Sequence, residues 1–168
     1  AVDDKTGQAV ALVDAEEKIQ GKGFGSGHGA KHLFTLKTRD AAHPIMQGLP
    51  AEWLHANDEL YGRMRGSADH MHVLSSSFSK PEFGGTDMHE PMVWFAPFGK
   101  GRVVTTSMGH IMAADTSHEA LHCVGFQTIL ARSTEWAATE KVTLAVPEGF
   151  PTLDKTSVIE PAKVNWKK

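Results

Sequence analysis

Met92-Val93-Trp94-Phe95-Ala96-Pro97-Phe98-Gly99-Lys100-Gly101-Arg102-Val103-Val104-Thr105-Thr106 is the stretch on which the reading of the fold turns. Residues 92–96 and 102–106 are rich in β-branched and aromatic side chains, and they flank Phe98-Gly99-Lys100-Gly101. β-rich runs on either side of a short glycine turn specify an antiparallel hairpin. The second strand runs on through Ser107 towards Gly109-His110. On the N-terminal side, short strands are expected at residues 33–37, 59–63 and 72–76, with breaker pairs at His43-Pro44-Ile45 and Gly48-Leu49-Pro50. On the C-terminal side, Asp115-Thr116-Ser117 supplies capping residues for a helix reaching about Ala138. Leu121, Val124, Ile129, Leu130 and Trp136 give that helix an apolar stripe. A last strand over residues 142–146 leads into a proline-bearing tail, residues 147–168, expected to lie extended on the surface. Residues 1–20 are polar, with helical character at 14–18, and residues 21–29 hold five glycines in nine positions, which is loop composition. Strands followed by a helix in this order predict an α/β protein with a mixed sheet flanked by helices.

Composition narrows the function. A length of 168 residues suits one domain, and a hydrophobic fraction of 40% is enough for a core. The net charge of −3 offers no basic face, so nucleic acid is not the expected partner. No apolar run approaches the roughly 20 residues of a membrane span. The start, Ala1-Val2-Asp3-Asp4-Lys5, lacks the charged-then-apolar order of a signal peptide, and compartment stays open. The single cysteine, Cys123, allows no internal disulfide and reads as structural, because it lies within the expected helix.

Ten histidines in this length are the anomaly. The glycine loop ending at His28 and Gly29 is not a phosphate cradle, because a strand follows it where a nucleotide site needs a helix. Taken alone it reads first as a flexible loop, and as the alternative it is a loop that brings His28 close to a ligand. His28 with His32, and His70 with His72, have spacings that could hold a metal, yet neither pair has a third ligand beside it, so no metal or other cofactor is expected. No Gly-x-Ser-x-Gly elbow exists to supply an acyl-transfer nucleophile. Asp58-Glu59-Leu60-Tyr61 places two carboxylates at the start of an expected strand, where one can line a cleft and work with a histidine in proton transfer. His89, before one hairpin strand, and His110, after the other, are expected to approach each other at the end opposite the turn.

Several segments together resemble the ThuA-like (trehalose utilisation) family. They are Gly25-Ser26-Gly27-His28-Gly29 with His32, His43-Pro44-Ile45 with Gly48-Leu49-Pro50, Asp58-Glu59-Leu60-Tyr61, His89-Glu90-Pro91, Phe98-Gly99-Lys100-Gly101-Arg102-Val103, Gly109-His110, Glu135-Trp136-Ala137-Ala138 and Pro147-Glu148-Gly149-Phe150-Pro151. The likeness spans about residues 21–158. It implies a fold like that of class I glutamine amidotransferases, a flavodoxin-like three-layer sandwich, without their catalytic cysteine. It also implies catabolism of trehalose or related disaccharides through 3-keto-sugars, by isomerisation or elimination. On that basis Glu59 and His110 are the expected acid/base groups, supported by Asp58 and His89. Tyr61, His28, His32 and Trp94 are the expected groups for a small carbohydrate. A non-catalytic carbohydrate-binding module of the same fold, or a metal-dependent variant, is the alternative. Family members carry βα units ahead of the glycine–histidine loop, so the chain is expected to be the C-terminal portion of such a domain. Its open sheet edge would then be covered by the missing half or by a second copy.

Overall fold

The expected hairpin forms, with Val93 opposite Thr106 and the pairing running to Phe98 opposite Gly101. The structure is a computed structural model that describes residues 1–10, 26–64 and 68–166. The expected helical turn at residues 14–18 and the first part of the glycine loop lie outside them. Among the described residues the strands are β1 (Gly27–His28), β2 (His32–Thr38), β3 (Glu52–Asp58), β4 (Tyr61–Gly62), β5 (His72–Ser79), β6 (Met88–Phe98) and β7 (Gly101–Thr106). The helices are α1 (Glu119–His122) and α2 (Val124–Thr139). β3-β2-β5-β6-β7 form one sheet, and β1 pairs with β4 beside it. The α/β class is as expected, and every pairing between the described strands is antiparallel.

The core explains the strands. Leu36, Trp53, Leu74, Met92 and Val93 from the sheet and Phe126, Ile129 and Trp136 from α2 bury together. Trp53 lies against the helix backbone, since a Cβ added at Gly125 would sit 2.2 Å from its ring. Only a residue without a side chain lets α2 come so close. Pro91, which cannot donate to the ladder, sits where the β5–β6 register slips.

Three expectations change. The strand expected at residues 59–63 is instead the longer β3, which ends at Asp58, followed after Leu60 by the two-residue β4. β3 buries Trp53, His55, Ala56 and Asp58, and a run with polar residues inside does not read as a strand on hydrophobic alternation. The expected helix is broken at Cys123, whose ψ of 118° is extended. There the C-terminal tail takes over the backbone: Val124 N–H donates to the Ser157 carbonyl and Ile159 N–H to the His122 carbonyl. Asp115 caps a turn ahead of α1, which starts at Glu119, rather than the helix itself. Residues 142–146 form no strand. Side chains of α2 hold them instead, with Glu135 accepting from the Thr143 and Leu144 N–H groups and Arg132 donating to the Leu144 carbonyl. The tail is extended but anchored, its Thr152 carbonyl accepting from Leu54 N–H on β3. No helix among the described residues is long and apolar enough to cross a membrane.

Candidate functional site

β3 runs out at Asp58, and the chain turns there because the Asp58 side chain accepts the N–H of Glu59 at 2.8 Å. Asp58 is fully buried. Its carboxylate also accepts Gly109 N–H at 2.7 Å and His110 N–H at 3.2 Å, and contacts His55 Nε2 at 2.9 Å. Burial works to raise its pKa, but His55 and these N–H groups outweigh it and hold Asp58 below the ordinary carboxylate value. Asp58 therefore faces inward on every side and fixes the segment after β7 onto the end of β3. Gly109 bends with φ +91°, and a Cβ there would lie 2.6 Å from the Phe126 ring.

That anchorage brings Glu59 and His110 together. Glu59 Oε2 is in direct contact with His110 Nδ1 and lies 3.3 Å from His28 Nε2. The Tyr61 hydroxyl donates to the same oxygen at 3.2 Å and lies 3.4 Å from His110 Nδ1. β1 pairs His28 opposite Tyr61, which is how the glycine loop delivers its histidine. The Glu59 side chain is 3% exposed, whereas His28 is 36% and His110 38% exposed, so the carboxylate lies beneath two imidazoles open to solvent. Tyr61 is held above its ordinary pKa by burial and by Glu59, which keeps its hydroxyl a donor.

The ring nitrogens have distinct tasks. A carbonyl can only accept, so His28 Nδ1–H donates to Gly29 at 2.8 Å and Nε2 is left for Glu59. Both nitrogens of His28 are engaged. His110 spends Nδ1 on Glu59, which leaves its Nε2 as the imidazole nitrogen available to a bound molecule. Lys31 closes the rim with an ion pair to Asp115 at 2.5 Å, joining the loop after His28 to the one after His110. Among the described residues no group of three or more His, Cys, Asp or Glu side chains is arranged to hold a metal ion.

Of the eight residues expected at the site, Glu59, His110, Tyr61 and His28 converge, and Asp58 supports them from below. His89 does not join them. β7 stops opposite Val93, so the first residues of β6 have no partner on that side from the hairpin. His89 instead contacts Ser76 and Asp4, on β5 and the N-terminal segment. Burial and Arg39 lower its pKa. His32 is buried and stacked on Phe83 with 3.9 Å between ring centroids, and Nδ1–H donates to the Ala30 carbonyl. Trp94 sits in the middle of β6 between Val73 and Thr105. Sequence reasoning missed His55 and Lys31. His55 could have been found by its place two residues from Trp53 on a strand, but Lys31 carries no such signal.

These segments are also the ones that compare with known proteins. The sequence profile of the ThuA family, described as trehalose utilisation, matches residues 9–137. The chain belongs to the ThuA family. This ThuA-family chain is similar to a crystal structure from Parabacteroides merdae ATCC 43184 of a protein described as ThuA-like. The identity is 43% and the TM-score 0.75, over 81% of this chain and 49% of that one. The chain thus spans about half the length of that relative. No curated protein matches it.

Proposed function

We propose that this ThuA-family chain carries the acid/base centre of an enzyme of sugar catabolism. The substrate is a 3-keto-glycoside derived from trehalose or a related disaccharide, and the reaction is proton transfer beside the carbonyl. The observation that carries the proposal is the contact of buried Glu59 with His110, whose other nitrogen remains open. In this reading His110 Nε2 removes the proton from the carbon next to the carbonyl, and the C–H electron pair moves into an enediolate. Glu59 faces the imidazolium that forms, as a buried carboxylate does behind a catalytic histidine. His110 then returns the proton to the former carbonyl carbon while the hydroxyl proton passes between the two enediolate oxygens, which isomerises the sugar. In the other outcome the enediolate expels the oxygen substituent one carbon further on, which leaves with the proton held by His110, and this is elimination. Asp58 stays ionised and internal throughout.

The test is turnover of a 3-keto-disaccharide in deuterated buffer, followed by NMR. Glu59→Gln and His110→Asn are each expected to lower the rate on the order of a hundredfold or more, and deuterium incorporation with it, while the fold persists. Full exchange and turnover in both variants would remove these residues from the reaction. Saturable sugar binding without exchange in the parent protein would identify a binding module instead.

A further inference from the structure

Beneath the site lies a second histidine that the proposed reaction does not use. His55, on β3, is fully buried, packed between the Phe34 and Trp53 rings, and its Nε2 contacts Asp58 Oδ2. Asp58 Oδ2 also takes the Gly109 N–H, and Oδ1 takes the N–H groups of Glu59 and His110. One carboxylate thus holds the backbone of both members of the acid/base pair, and one imidazole holds that carboxylate.

We infer that His55 is a positioning residue for the site, keeping Asp58 ionised so that Asp58 clamps the Gly109–His110 turn and seats His110 on Glu59. The inference rests on the function proposed above for its kinetic consequence, but not for its structural one. An isolated carboxylate is costly to bury, and it takes up a proton unless a cation or strong donors compensate it. Three backbone N–H groups share the load here, and His55 is the nearest ionisable partner. Burial opposes a charge on His55, but the Asp58 carboxylate, with the Cys123 thiol, overcomes this and brings it up to about 9. A hydrogen bond to an ionised acceptor is roughly twice as strong as one between neutral groups, so the grip on Gly109 and His110 depends on that charge. Gly109 suits the turn because a φ of +91° is freely open to glycine and the Phe126 ring fills the space a Cβ would take. The Asp58 carboxylate is what selects this conformation among those glycine can adopt.

The experiment compares the parent protein with His55→Gln, Asp58→Asn and the double variant by NMR of ¹⁵N-labelled protein, together with steady-state kinetics. The Gly109 and His110 amide protons are expected far downfield in the parent. In His55→Gln they should move upfield, along with a changed His110 ring signal. kcat should fall at least tenfold with KM within about threefold, and the double variant should be no worse than Asp58→Asn alone. If His55→Gln does not fold, Asp58→Asn must give the same amide shifts for the clamp to stand. Unchanged Gly109 and His110 signals in a folded variant would overturn the inference, as would additive effects of the two substitutions. Shifts as expected in a protein with no turnover of any keto-sugar would uphold the clamp and reject the proposed reaction.

Discussion

Gly109→Ala tests the link between packing and chemistry most directly. The residue has φ +91°, and the added methyl carbon would fall 2.6 Å from Phe126 Cζ, 2.8 Å from Cε2 and 3.2 Å from Leu121 Cδ2. A side chain in the left-handed region costs about 1 kcal/mol. Forcing a methyl into a filled core costs about 1–3 kcal/mol more, because Phe126 is itself packed. The sum, about 2–4 kcal/mol, is the expected loss of stability in chemical denaturation. The backbone has one other way out, which is to lift from Asp58. Gly109 N–H and His110 N–H would then lose their acceptor, and the His110 ring would move off Glu59. A displacement near 1 Å at a reacting group costs on the order of a hundredfold in rate. Denaturant midpoints and kcat measured on the same preparation should fall together. An alanine protein as stable and as active as the parent would refute both the steric argument and the role given to this turn.

Other outcomes follow from the same contacts. His55 is raised from 6.5 to about 9, so its pairing contributes fully below about pH 6.5 and is lost as pH rises through 9. Asp58 is lowered, so its contribution is present above 3.8 and is lost as pH falls through its depressed value. The stability gap between the parent and His55→Gln should therefore be widest between about pH 4 and 6.5 and close towards pH 9, as read by denaturation at each pH. Arg132→Ala would strand the carbonyls of Ile45, Gln47 and Leu144, each of which now accepts from the guanidinium. It should cost about 2–4 kcal/mol, and hydrogen exchange should rise first at Thr143 and Leu144.

The parts legible in the sequence were those written in local chemistry. The Gly99–Gly101 turn between β-rich runs specified its hairpin, and the adjacent carboxylates of Asp58-Glu59-Leu60-Tyr61 signalled a division of labour, with Asp58 turned inward and Glu59 set beside Tyr61 and His110. The parts that were hidden depend on distant partners. β3 carries His55 and Asp58 inward, which breaks the hydrophobic alternation, and only the ladder with β2 and the N–H groups of a segment 51 residues away make that burial tolerable. Residues 142–146 have strand composition, but Arg132 and Glu135 claim their backbone first. His89 was placed by extending the hairpin in a straight line, whereas the chain leaves β7 after Thr106 to reach β3.

The order in which the chain can assemble follows from where the site's members come from. Glu59 and His110 stand 51 residues apart, and Lys31 and Asp115 stand 84 apart. Closing loops of that size is costly until the sheet between them has formed. No helix or hairpin on its own brings Glu59 and His110 together. The Glu59–His110 contact is therefore a property of the finished sheet, and the turnover proposed above would report complete folding more sharply than secondary structure does.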